Sequence, residues 1–224
     1  MMGKIKRSGR RYKITGVVLF LCLLSLTACF SLREEYPEVH YYRLNQIKSS
    51  GQINGSDKVE GTVQIRSFTG SDANNTDRLL GMWDDNRVQV YYYHRWITNA
   101  SDLITDFIVE RYNELGIFTG GVVKPGSILA ADYILEGQLL DMVAYNTNDS
   151  KQSNYVYISL RVSLIKNEAL STDKKILINK VFSVKQARKN NSAETIAGAF
   201  SVALSQISDE LLMEIKNAIT NNNG

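Results

Sequence analysis

Residues 154–166, NYVYISLRVSLIK, decide the fold. Val156, Ile158, Leu160, Val162 and Leu164 recur at every second position, with Tyr157, Ser159, Arg161 and Ser163 between them. A period of two belongs to a strand whose alternate side chains point to opposite faces, one buried and one at least partly wet. Such half-buried strands build antiparallel sheets, because strands of parallel sheets are covered on both faces and read as continuous apolar runs. Two more long strands flank this one, at 132–145 and 174–187. The polar links NTNDSKQS and NEALSTD join them, so the simplest topology is a three-stranded meander.

Outward from the meander the period changes. In residues 99–115, Leu103, Ile104, Phe107, Ile108, Tyr112 and Leu115 fall on one stripe at spacings of three and four. Asp102, Asp106, Glu110 and Glu114 occupy much of the opposite side. Thr98, Asn99 and Ser101 offer N-cap oxygens and Gly116 a C-terminal stop. A longer helix is predicted over 192–219, with the stripe Ile196, Phe200, Leu204, Ile207, Leu211, Ile215 and Ile219. Asn191 or Ser192 caps it, and Glu194 can complete a capping box with Asn191. Burying such a face contributes about 1.5–3 kcal/mol per large side chain. The expected class is α+β: a mostly antiparallel sheet with two amphipathic helices packed on one face. Shorter strands are expected at 40–44 and 62–68, and a strand from 87 runs into the first helix. Residues 46–61 read as a polar loop, and Leu79 to Trp83 carries no clear pattern.

The N-terminus carries a targeting signal. Lys4, Lys6, Arg7, Arg10, Arg11 and Lys13 precede the short apolar run ITGVVLFLCLLSL, too short to span a bilayer comfortably. Leu26-Thr27-Ala28-Cys29 resembles a bacterial lipobox. That resemblance implies cleavage after Ala28 and acylation of Cys29 on its sulfur and on its new amino group. Three acyl chains exceed the two signals that stable anchoring needs. Phe30, rather than the Asp that retains lipoproteins in the inner membrane in enteric-type sorting, follows the cysteine, which favours the outer membrane. The expected organisation is a signal peptide at 1–28, a lipidated N-terminus with a short strand and loop at 29–61, and one α+β domain at 62–220. Removing the leader takes six basic residues and no acid, which turns the net charge of +3 into −3. The basic balance is thus a targeting feature and gives no reason to expect nucleic acid. Cys22 leaves with the leader and Cys29 is acylated, so no thiol is left for a disulfide, metal site or nucleophile.

Catalytic patterns are missing from the sequence. His40 and His94 lack metal-ligand spacing, and there is no G-x-S-x-G, H-E-x-x-H or Walker-type loop. FTGGVVKPG at 118–126 lacks the helix start of a phosphate cradle and reads as a turn between strands. No metal, no cofactor and no enzymatic activity are expected. An enzyme reading would need Asp84, Asp85, Tyr91 and Tyr93 to converge on a cleft.

YYYHRW at 91–96 is the densest cluster of functional-looking side chains. As a strand it splits into two rows. Val88, Val90, Tyr92, His94 and Trp96 read as core-facing, and Arg87, Gln89, Tyr91, Tyr93 and Arg95 as exposed. That row reads either as an exposed sheet face, where tyrosines cover their neighbours, or as an interface surface, where Tyr and Arg are enriched, and in the second reading Tyr91, Tyr93 and Arg95 are the candidate partner-binding strip.

The lipobox, the YYRL segment at 41–44, YYYHRW leading into an amphipathic helix, the meander and the long last helix follow one order. In that order the chain resembles the ABC-type transport auxiliary lipoproteins, the paraquat-inducible protein C-like family. Tyr92, Arg95 and Trp96 match most closely, and Ile97-Thr98-Asn99 departs from the acidic or proline residues common there. The resemblance implies a lipid-anchored docking component on the outer membrane, facing the periplasm. It would work with a mammalian-cell-entry-type periplasmic protein and its ABC transporter to move lipids or other hydrophobic compounds across the periplasm. It also raises homo-oligomerisation, which the residues themselves do not supply. The alternative is a structural or regulatory envelope lipoprotein, an activator of a cell-wall synthase or a secretion-assembly factor.

Overall fold

The computed structural model describes residues 36–47, 58–149, 151–167 and 175–223. The expected leader, Cys29 and most of the 46–61 loop lie outside these residues. Contacts divide the chain into 1–38 and a folded unit, Val39–Gly224. Nine strands and two helices make up the described fold. They are β1 (His40–Tyr42), β2 (Val63–Ile65), β3 (Thr69–Gly70), β4 (Arg78–Trp83), β5 (Val88–Trp96) and α1 (Ala100–Leu115). Then follow β6 (Val122–Val123), β7 (Tyr133–Asn146), β8 (Tyr155–Lys166), β9 (Lys175–Ala187) and α2 (Glu194–Asn223).

The α+β class holds, and the meander is as the sequence implies. β7, β8 and β9 pair antiparallel along their whole lengths. Val156, Ile158, Leu160, Val162 and Leu164 are all fully buried, and α2 packs over β8 and β9. The seven stripe residues of α2 are buried, as are Leu103, Ile104, Phe107, Ile108 and Tyr112 of α1. These residues join the β8 row in one core cluster.

The other edge of β7 is the unexpected part. Three short strands line it in chain order, all parallel to it: β2 against Tyr133–Leu135, β3 against Gln138–Leu139 and β4 against Ala144–Asn146. β4 then forms an antiparallel hairpin with β5, and β1 adds parallel to β5 at that margin. The sheet is therefore mixed, with its long ladders antiparallel and its short ones parallel. The segment 79–83, patternless in the sequence, is the core of β4, because β4 is paired on both sides. Phe68 is buried over Gly137, where a side-chain β-carbon would lie 1.9 Å from the phenyl ring.

The folded body takes in residues ahead of the expected start at 62. Leu44 reaches the core, and the segment after β1 crosses both helices. The Asn45 N–H donates to Ser201 Oγ at 3.1 Å, Gln46 Nε2 to the Phe107 carbonyl at 2.8 Å, and Arg111 Nη1 to the Ile47 carbonyl at 3.1 Å. The helices are joined directly too. The Tyr112 hydroxyl donates to the Ser208 carbonyl at 3.0 Å, and Arg111 pairs with Asp209.

Both helix starts differ from expectation. Asn99 stands at the N-cap of α1 but makes no side-chain cap bond, and Gly116 closes the helix in the left-handed conformation. Asn75, from the loop before β4, supplies the missing acceptor to Ser101 N–H at 3.1 Å. At α2 the Glu194 carboxylate is bonded by the Ser192 hydroxyl, and Asn190 Oδ1 accepts Ser192 N–H, so no Asn191–Glu194 box forms.

Candidate functional site

The strict alternation expected across 88–96 breaks. Arg78 pairs with Arg95 and Leu79 with Tyr91, so residues 92–94 of β5 bulge out of the ladder. A bulge re-aims side chains, and the core row and exposed row are partly exchanged. Val88 and Tyr92, expected in the core, are exposed, while Tyr91 packs against the core. Trp96 is buried, edge-on to Phe200 of α2.

The two histidines of the chain meet here. β1 and β5 place His40 opposite His94, with their rings stacked at 5.3 Å between centroids. Tyr42 stacks on His94 at 5.8 Å, its hydroxyl 2.8 Å from His94 Nδ1, and Tyr91 meets the same imidazole edge-on. Burial and then the Glu194 carboxylate hold the Tyr42 phenol above its usual range. Glu194 itself is held below the usual carboxylate range, first by the Ser192 hydroxyl, then by its own backbone N–H, with smaller help from His94 and His40.

Behind the imidazoles a polar chain runs into the interior. Asn146 Nδ2 donates to the Tyr91 hydroxyl at 2.9 Å, above Gly81, where a β-carbon would crowd both groups. Arg188, nearly fully buried, donates to Asn146 Oδ1 and to the Tyr145 carbonyl at 3.2 Å. Its other amino group reaches the Ser192 carbonyl and Thr195 Oγ1, both at 3.3 Å. Among the described residues no carboxylate pairs with it, and burial lowers its affinity for a proton. Arg188 thus clips the end of β7 to the start of α2. In the sequence it is one more basic residue in KQARKN, and no local pattern distinguishes it.

The three strip candidates take separate roles. Tyr91 is held inward by Asn146, Tyr93 is exposed, and Arg95 pairs with Asp77 at 3.2 Å. Asp84 and Asp85 diverge in the β4–β5 turn: Asp84 accepts from Thr147 Oγ1 at 2.8 Å, and Asp85 pairs with Arg87. Asp84, Asp85, Tyr91 and Tyr93 do not converge. Among the described residues no grouping of His, Cys, Asp and Glu could hold a metal ion. No described helix is long and apolar enough to cross a membrane. One concavity of about 510 Å³ is lined by Gly61, Thr62, Thr119, Gly120, Asp132 and Lys166, another of about 420 Å³ by Arg66, Glu136, Gln138 and Arg161, and a third of about 420 Å³ by Tyr155, Lys185 and Ala187. What the β1–β5 corner offers is aromatic faces and guanidinium groups, the equipment of recognition.

No family model matches the sequence, and no curated protein matches it. Solved structures do. Protein XCC0632 from Xanthomonas campestris, a DUF330 protein, superposes with a TM-score of 0.68 at 16% identity, covering 84% of this chain and 99% of its own. A second structure, of an uncharacterized protein, gives 0.59 at 13% identity over 80% and 99%. The hypothetical protein CT253 from Chlamydia trachomatis gives 0.50 at 9% identity over 72% and 98%. At these identities the likeness establishes the fold: the chain is built on the same α+β framework as XCC0632.

Proposed function

We propose that the chain is a lipid-anchored envelope protein that serves as a docking component of an ABC-type lipid transport system. In this reading Cys29 carries the acyl chains on the outer membrane. The folded unit faces the periplasm and engages a mammalian-cell-entry-type protein and its transporter. The observation that carries the reading is a coincidence of two features. A lipobox-like run at Leu26–Cys29 precedes a domain whose family-like segments, YYRL at 41–44 and YYYHRW at 91–96, come together at one sheet corner. There Tyr42 and Trp96 are register partners across β1 and β5. The exposed tyrosines and arginine at that corner, Tyr92, Tyr93 and Arg78, suit a docking role.

Two experiments test it. Cys29→Ser should move the protein from the membrane fraction to the soluble fraction; unchanged sedimentation would refute the anchor. Crosslinking in cells followed by purification should recover a mammalian-cell-entry protein. Recovery of peptidoglycan synthases alone would favour the regulatory alternative.

A further inference from the structure

The β1–β5 corner has an outward side that the polar chain behind it does not use. Tyr41, Tyr92, Tyr93 and Ile97 are 64%, 66%, 48% and 65% exposed there. They form a linked group. Tyr41 lies opposite Arg95 in the β1–β5 register, Arg95 opposite Arg78, and the Arg78 guanidinium sits 5.9 Å above the Tyr92 ring. Tyr93 and Ile97 flank Arg95 at two residues on either side. The one acid in the group, Asp77, is taken up by Arg95. Exposed aromatic side chains gathered at one place mark an interaction surface.

We infer that this strip rests in the headgroup layer of a phospholipid bilayer, the same bilayer in which the acylated Cys29 is held. The inference rests on the anchor reading above and adds where the folded unit meets the membrane. Tyrosine has an apolar ring and a polar tip, which suits the boundary between acyl chains and water. Arginine buries its aliphatic stem there and keeps its guanidinium among phosphates. Tether length supplies the second argument. Residues 29–38 connect the acylation site to the folded unit, and β1, which carries Tyr41, begins directly after them. At about 3.6 Å per extended residue that tether reaches at most about 36 Å. The strand entering the fold is thus the part of the body nearest the anchor along the chain.

The test uses the full lipidated chain in vesicles of phosphatidylethanolamine and phosphatidylglycerol. Acylation blocks Cys29, so one introduced cysteine can carry an environment-sensitive fluorophore. Tyr93→Cys and Ile97→Cys report the strip, and Gln206→Cys, exposed on α2, is the reference. With lipids brominated near the headgroup, the labels at 93 and 97 should shift to the blue and lose most of their intensity, while the label at 206 is unchanged. Labels at 93 and 97 as wet as the one at 206, in protein that floats with the vesicles, would overturn the inference. So would protection that arises only when a mammalian-cell-entry protein is added, which would make the strip a protein interface. Failure of the anchor is read separately, from Cys29→Ser fractionation.

Discussion

Asn75 Oδ1 accepts the backbone N–H of Ser101 at 3.1 Å, so the first turn of α1 is capped from a loop on the far side of the β4–β5 hairpin. The residue at the N-cap position, Asn99, contributes no side-chain bond. Asn75→Ala should therefore destabilise the fold by about 1 kcal/mol, the usual worth of a capping side chain, and Asn99→Ala by only a few tenths. Urea unfolding of the two variants decides it; equal losses would mean that Asn99 shares the cap.

Gly137 is a matter of space. A β-carbon there would lie 1.9 Å from the Phe68 ring, which is itself buried in the core. Gly137→Ala should cost about 3 kcal/mol or more, the upper end of what overpacking costs, since the ring has to leave its place. Combining it with Phe68→Leu should recover part of the loss, because the smaller side chain vacates that space. Additive losses in the double variant would show that the two positions are not coupled.

Arg188 spans four acceptors on two elements. Arg188→Met leaves Asn146 Oδ1 and the Tyr145 carbonyl short of donors, and the expected loss is about 2–4 kcal/mol. Arg188→Lys should recover little, because a point ammonium cannot reproduce a planar fork serving β7 and α2 at once. Thermal unfolding measures both; a lysine variant as stable as the parent would sink the clip.

Asp141 sits at the bulge of β7, where burial raises its carboxyl above the usual range and the Met142 N–H only partly offsets that. In the unfolded chain the same group has its ordinary proton affinity. Between the ordinary and the raised value the folded state therefore holds more protons. Stability falls as pH rises through that window, and the penalty stays constant above it. Asp141→Asn should be more stable than the parent at neutral pH, with the difference vanishing below the ordinary carboxylate range. Unfolding curves collected across pH would expose the wrong sign at once.

What was legible in the sequence were the elements with a long period. The five alternating residues of β8 and the seven-residue stripe of α2 each repeat often enough to announce their geometry, and all of them are buried. β2, β3 and β4 are too short to show a period. Their partner β7 lies far along the chain, and parallel pairing at that distance leaves no local trace. The corner was half legible. Trp96 marked the junction of strand and helix, but a bulge in a tyrosine run reads like unbroken alternation, so Tyr91 and Tyr92 were given each other's sides. Arg188 depends wholly on tertiary placement.

The one-sided lining of β7 has a consequence for how the chain comes into being. Synthesis delivers the N-terminus first. β2, β3 and β4 then wait without their partner until β7 has emerged, and the Arg66–Glu136 pair beside them spans 70 residues. The meander and α2, by contrast, close on near neighbours. Non-local pairing of this kind is slow and leaves strand edges open to other chains. A newly made chain should thus depend on holding factors for its first third, and the last third should organise on its own.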